Sequence, residues 1–300
     1  MKDKKILYAD LSLLLVAIIW GSGFVFTKNA LDHMTPFYIN AFRFLLASLI
    51  LGVLAFKRIR KARWMDIKAG LIVGFFMFLG FAFQTIALLY TTVGVQAFIT
   101  ASNVVMVPFF YWILTKKRPG PYEFFGAILC FIGIGILSLD TNLQVGLGEF
   151  LTFLCAIGFA LQIVAVGHFA KNVDSYVLSF VQLVVATVLS FAIAIPFEPR
   201  VSDVSPEIIV PILFLAIFGT IVAFLTQNIA QKYTTSTHAA IILSLEAVFG
   251  SILGIIILNE AITSKFVIGC LAIFISVLAA ETRFDFLKPK KNDLKAESRK

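Results

Sequence analysis

From Ala69 to Thr115 the chain carries no lysine, arginine, aspartate or glutamate. A stretch of that length folded in water would have to turn a polar face outward, and this one has almost nothing polar to turn. The whole sequence shares the problem: 60% of its 300 residues are hydrophobic and 14% are charged, against about 25% charged in an ordinary soluble domain. Its charges lie in short clusters between long apolar runs. That pattern excludes a water-soluble fold and selects a chain that crosses a bilayer repeatedly.

Hydrocarbon offers the backbone no hydrogen-bonding partner, so each crossing must satisfy its own amides, as a helix of about 20 apolar residues does. Ten segments qualify, at residues 9–27, 37–56, 69–89, 93–114, 121–139, 148–167, 176–196, 208–229, 236–258 and 264–281. The predicted fold class is an all-α polytopic membrane protein with ten transmembrane helices. Chemistry marks most boundaries: 57–68 is a basic loop, Lys116-Lys-Arg-Pro-Gly-Pro121 ends one helix and starts the next, and 196–206 is a polar turn. Tyr90-Thr-Thr92 is the weakest, a short hairpin inside a run too long for one helix. The start resembles a secretory signal, with Met1-Lys-Asp-Lys-Lys5 before an apolar run. Trp20-Gly-Ser-Gly-Phe24 nevertheless continues into apolar residues without a small-residue cleavage site, so this is read as the first membrane helix.

Ten crossings leave both termini on one side. The N-terminus, the even-numbered loops and the C-terminal tail hold 21 of the 25 basic residues, the odd-numbered loops hold 3, and Arg43 is the remaining one. Short basic loops stay cytoplasmic, which predicts cytoplasmic termini, a basic cytoplasmic tail over 283–300, and Asn142 and Asp203 outside. The net charge of +8 then reflects orientation and the anionic bilayer surface, not nucleic acid. Cys130, Cys155 and Cys270 lie in apolar runs without CxxC or Cys/His spacing and read as small core residues.

The chain also repeats itself. At an offset of 143, Phe83-Gln-Thr-Ile-Ala-Leu-Leu-Tyr-Thr-Thr92 aligns with Thr226-Gln-Asn-Ile-Ala-Gln-Lys-Tyr-Thr-Thr235, six of ten positions matching. Without a gap the offset then pairs Ala97 with Ala240, Ile99 with Ile242, Val105 with Val248, Ile113 with Ile256 and Gly126 with Gly269. Aliphatic matches between apolar helices are cheap, but Gln, Tyr, Thr and Thr together are not. Two units follow, helices 1–5 over 9–139 and helices 6–10 over 148–282. Five is odd, so the second copy enters the membrane from the opposite side. An inverted repeat lets one site at the junction open to either face as the halves exchange conformations.

Further residues carry a family resemblance. Trp20-Gly-Ser-Gly-Phe-Val-Phe-Thr-Lys28 in helix 1, Arg43 in helix 2, Ser244-Leu-Glu-Ala-Val-Phe-Gly250, Leu258-Asn-Glu260 and Gly269 resemble the drug/metabolite transporter superfamily, in its ten-helix branch of two EamA-type repeats. The resemblance covers 9–282. It implies a carrier in the bacterial plasma membrane, often an exporter of amino acids or other small metabolites. It also implies a cavity lined by helices 1–4 and 6–9, with helices 5 and 10 peripheral. The family usually has Glu-Pro in helix 9 where this chain has Glu246-Ala247; the first copy has Pro108 instead.

Ionisable groups at bilayer depth are costly without a partner or a wet cavity, which makes them candidates for function. Glu246 lies about eleven residues into helix 9 and can take a substrate amine or a proton; otherwise it is a structural carboxyl bonded to a neighbouring helix. Arg43 lies roughly 10 Å from the outer edge at 1.5 Å per residue, where snorkelling or pairing is favoured over substrate contact. At the 143 offset Glu246 falls on Asn103, so the repeat gives two polar positions of which one is charged. Gln84 with Gln227 and Tyr90 with Tyr233 are paired in the same way, as cavity groups, gate or interhelical glue. Trp20 and Gln162 sit mid-helix, lining the cavity or filling the bundle. Gly70-x-x-x-Gly74 and Gly250-x-x-x-Gly254 read as close helix contacts.

His33, His168 and His238 fall at helix ends or loops with no metal spacing, and no metal or cofactor is expected. There is no phosphate-binding P-loop, so transport would run on gradients. The partners expected are a small-molecule substrate, protons as a candidate coupling ion, and the lipid bilayer, for a monomer or a homodimer. Two other classes compete, an intramembrane enzyme and a non-transporting sensor or assembly factor. The first would need converging catalytic groups at depth and the second a soluble output domain, and the sequence offers neither.

Overall fold

The computed structural model describes residues 2–116, 118–138, 145–200 and 206–282. Asn142, Asp203 and the tail over 283–300 lie outside the described residues. The elements are α1 (Lys2–Leu31), α2 (Pro36–Leu54), the short α3 (Phe56–Ile59), α4 (Trp64–Ala87), α5 (Val93–Ala101), α6 (Asn103–Thr115), α7 (Pro121–Ser138), α8 (Leu147–Phe169) and α9 (Ser175–Phe197). Then come α10 (Pro206–Ala216), a π-helical turn (Ile217–Val222), α11 (Ala223–Ala230), α12 (Ser236–Ser244), α13 (Glu246–Leu258) and α14 (Ser264–Thr282). Among the described residues nine stretches are long and apolar enough to span a membrane, and a tenth, Ser264–Ala279, is apolar but shorter. The protein is a multi-pass, all-helical membrane protein.

The third helix begins at Trp64 instead of 69 because Asp66 closes its first turn, accepting the Arg63 amide at 2.8 Å. Larger departures occur in the fourth, eighth and ninth helices, each of which is interrupted. The fourth breaks after Ser102 and the ninth after Leu245, positions that differ by 143. At both, the amide reaches only three residues back, Ser102 N to Ile99 O at 3.1 Å and Leu245 N to Ile242 O at 3.3 Å. Serine hydroxyls support the tightening, Ser102 Oγ donating to Ile99 O and Ser244 Oγ to Ile241 O, each at 2.6 Å. Such back-bonding bends helices. Pro108 is therefore not what makes the break, since its equivalent in the second copy is Ser251.

The same offset governs the helix ends. Thr92 and Thr235 cap α5 and α12, accepting the amides of Val95 and His238. Lys116 and Asn259 end α6 and α13 in left-handed geometry, at φ 61° and 54°. Packing follows the repeat as well: α4 against α8 is matched by α11 against α1, α4 against α9 by α10 against α2, α6 against α8 by α13 against α1, and α5 against α13 by α12 against α6. Two pairings, α2 with α9 and α7 with α14, are their own counterparts. They lie where an axis relating the halves would pass.

Small residues set the closest crossings. A Cβ on Gly70 would stand 2.5 Å from Val181 Cβ, and one on Gly74 2.8 Å from Gln182 Cα, so the first GxxxG spacing seats α4 on α9. Gly250 faces Ala97 and Phe24 in the same manner. Gly133 and Gly269 bring α7 and α14 together, away from the centre of the bundle.

Candidate functional site

Both helix breaks place the first residue of the following half-helix, Asn103 in α6 and Glu246 in α13, on one central cavity. Trp20, Arg43, Gln84, Gln162 and Gln227 line it too. Six pairs of lining residues exchange under the repeat. Phe81 with Phe224, Gln84 with Gln227 and Asn103 with Glu246 are separated by 143, while Trp20 with Phe159, Gly23 with Gln162 and Phe24 with Ile163 are separated by 139. The change of offset has a structural cause, because α9 spans 23 residues against 19 for its counterpart α2. The capping residues Thr35 and Asp174 before those two helices still differ by 139.

The first, second, third, fourth, sixth, eighth and ninth helices contribute to the lining, and the seventh does not: α9 packs behind, against α2 and α4. The cavity is small, about 50 Å³.

Arg43 and Glu246 are the two ionisable residues of the lining. They are 3% and 7% exposed, and no ion pair joins them among the described residues. Glu246 has no side-chain hydrogen bond there either. Arg43 donates from Nε and Nη2 to Thr220 Oγ1 at 3.2 and 3.0 Å and lies against the rings of Phe81 and Phe44. Trp20 donates from Nε1 to Gly219 O at 3.0 Å and stands 5.1 Å from the Phe224 ring. Gln162 Nε2 lies 3.4 Å from Gln227 Oε1, while Gln227 Nε2 is buried without a partner among the described residues.

Tyr90 and Tyr233 are not brought to the cavity, which corrects their expected place. They fall after the last turns of α4 and α11, 57% and 48% exposed, and Lys5 lies over the Tyr233 ring. Their pairing in the repeat reflects equivalent hairpins, not a shared site. His33 follows α1, His168 ends α8, and His238, in the first turn of α12, places Nε2 3.2 Å from Asp10.

Phe24, Phe81, Phe159, Phe224, Gly219 and Thr220 also build the site, and sequence reasoning does not single them out. Phe81 and Phe224 are within reach of the repeat, being the same residue in both copies. Nothing in the pattern marks a π-helical turn.

A family model described as the EamA-like transporter family matches this chain twice, at residues 7–139 and 146–281. The chain belongs to the EamA-like transporter family. An "Uncharacterized transporter" of Archaeoglobus fulgidus is 36% identical over 93% of the chain and 87% of its own length. The "Uncharacterized transporter YvbV" of Bacillus subtilis is 25% identical over 91% of each. A chloroplastic WAT1-related protein of Arabidopsis thaliana is 24% identical over 86% of this chain and 66% of its own. A crystal structure superposes with a TM-score of 0.69 at 20% identity, covering 93% of this chain and 99% of that one, which shows a shared fold. As a member of this family the protein is a membrane transporter, and the cavity between its two matched regions is the candidate site.

Proposed function

We propose that the protein is a secondary active carrier that exports or exchanges small zwitterionic metabolites such as amino acids by alternating access. It would act in the bacterial plasma membrane with both termini cytoplasmic. One observation carries the reading: a single cavity walled by six residue pairs that exchange under the repeat, with a carboxyl in one copy where the other has an amide. Walls built twice suit a site that must face each side in turn. A buried carboxyl either holds a proton or needs a cation beside it. A substrate ammonium and a proton that compete for Glu246 would displace one another, which couples their movements.

An intramembrane hydrolase would require a nucleophile and a base converging on the cavity; its polar lining is instead one carboxyl, one guanidinium, amides and a hydroxyl. Comparative metabolite profiling of cells with and without the protein supplies the solute, and proteoliposomes then test Glu246→Gln. The expected variant is folded and normally abundant but has lost transport or its pH dependence, with Asn103→Ala milder. Wild-type transport and an unchanged pH profile in Glu246→Gln would assign the carboxyl to structure alone.

A further inference from the structure

Arg43 brings a permanent positive charge to the cavity, and no carboxylate oxygen lies within 4.0 Å of it among the described residues. Burying a guanidinium that way is expensive unless something else compensates. Two ring faces and one hydroxyl do so in part, and the hydroxyl is the informative group. Thr220 sits in the π-helical turn Ile217–Val222 and donates its own proton five residues back, to Leu215 O at 2.7 Å. A hydroxyl has one proton and two lone pairs. With the proton committed, both lone pairs of Thr220 are left for Nε and Nη2 of Arg43.

The guanidinium has five N–H groups, so three remain, and none of them is hydrogen-bonded among the described residues. The same turn leaves Gly219 O to accept the Trp20 indole, so one π-helical turn of the second half fixes two cavity side chains of the first. Turns of this register are rare and concentrate at functional sites. The arrangement leaves these donors free in a cavity where, among the described residues, no carboxylate oxygen, that of Glu246 included, comes within 4.0 Å of them.

We infer that Arg43 is the receptor for a carboxylate group of the transported solute, and that Thr220 is the positioning residue that holds its guanidinium toward the cavity. This rests on the transport reading above. A single guanidinium matches a monoanion in charge and in bidentate geometry. Glu246 on the same cavity disfavours a dianion such as a phosphate ester, and it supplies the opposite pole for an ammonium. If Arg43 were only a structural tie between α2 and the eighth helix, its loss would lower stability without altering which solutes bind.

Trp20 provides a reporter at the site. In the full chain carrying Trp64→Phe and Trp112→Phe it is the remaining tryptophan, and its fluorescence can be followed in detergent at fixed ionic strength. The probes are the standard amino acids other than tryptophan and tyrosine, straight-chain monocarboxylates from acetate to hexanoate, and the amide of each. At least one acid should shift the emission, with its amide binding tenfold or more weaker. Arg43→Gln should abolish that discrimination. Thr220→Val should weaken the acid three- to tenfold while leaving the amide unchanged, and Thr220→Ser should restore it.

Should Arg43→Gln fail to fold, the Thr220 pair decides the matter alone. An amide that binds as tightly as its acid, no response to any acid, or acid binding untouched in Thr220→Val would overturn the subsite. Proteoliposome flux separates the two proposals: flux without acid–amide discrimination removes the subsite and keeps the carrier. Discrimination without flux of the bound acid supports the subsite as a binding site and removes the proposal that this acid is the transported solute.

Discussion

Gly21→Ala adds one methyl group at the crossing of α1 and α13, next to the cavity. Its Cβ would stand 2.6 Å from Phe249 Cβ, 2.8 Å from Gly250 N and 2.9 Å from Glu246 O. Two of those atoms are backbone and the third is fixed to it, so no rotamer change relieves them. Restoring ordinary contact from 2.6 Å to 3.4 Å needs the helices to part by about 0.8 Å along that line. Overpacking of this kind costs about 1–3 kcal/mol, and three simultaneous contacts place it near the upper end. Alanine returns about 1 kcal/mol of helix propensity, leaving a net loss of about 2 kcal/mol, or about 4–8 °C in melting temperature on the soluble-domain scale.

Gly135 is the control, because a Cβ there meets nothing within 4 Å. Gly135→Ala should gain about 1 kcal/mol of propensity and melt about 2–4 °C higher. Both variants are read by thermal loss of the monodisperse full-length protein in one detergent, with flux measured alongside. Since Gly21 meets the Glu246 carbonyl and directly follows Trp20 in the chain, flux should fall in Gly21→Ala and not in Gly135→Ala. A Gly21→Ala protein that melts at or above the wild type would refute the close crossing, and with it the placement of α1 against the Glu246 half-helix.

Glu260 accepts the amides of Val93 at 2.6 Å and Gly94 at 2.9 Å, clasping the start of α5 from the far half. Glu260→Ala should cost about 1–2 kcal/mol as a lost cap and speed hydrogen exchange at those two amides, with Glu260→Gln intermediate; unchanged exchange would show that the clasp is not formed. For topology, the three native cysteines are buried and removable. An impermeant thiol reagent on intact cells should then label Arg200→Cys and spare Lys61→Cys, and the reverse pattern would overturn the orientation.

The internal repeat makes much of the site legible in the sequence. One offset pairs Asn103 with Glu246 and Gln84 with Gln227, and all four line the cavity. Trp20 and Gln162 line it as well, placed by depth alone. The same offset misleads at Tyr90 and Tyr233, because a repeat reports equivalence and not depth: both tyrosines are equivalent, just beyond the ends of their helices. The helix breaks are hidden for a different reason. Proline is the residue expected to interrupt a helix, whereas three-residue hydrogen bonds backed by Ser102 and Ser244 produce both interruptions. Phe159, paired with Trp20 and not with a second phenylalanine, escapes notice because nothing distinguishes an aromatic facing a cavity from one facing lipid when both lie in an apolar run.

What the repeat does not duplicate is charge. Two identical halves would wall the cavity with matching poles, and here Phe81 and Gln84 recur as Phe224 and Gln227 while the charged residues do not recur. Glu246 answers to Asn103, and Arg43 answers at the 139 offset to Gln182, which is fully buried in α9, outside the cavity lining, with both side-chain polar atoms unpartnered among the described residues. Each half therefore contributes one pole: the guanidinium belongs to the first and the carboxyl to the second. If the halves exchange conformations, the two faces of the membrane meet walls built largely from the same paired positions. The charges are not shared in this way, because each belongs to its own half. On the alternating-access reading proposed above, the paired walls would account for two states, and the unpaired charges would give a physical basis for one of them being favoured until a solute or a proton compensates them.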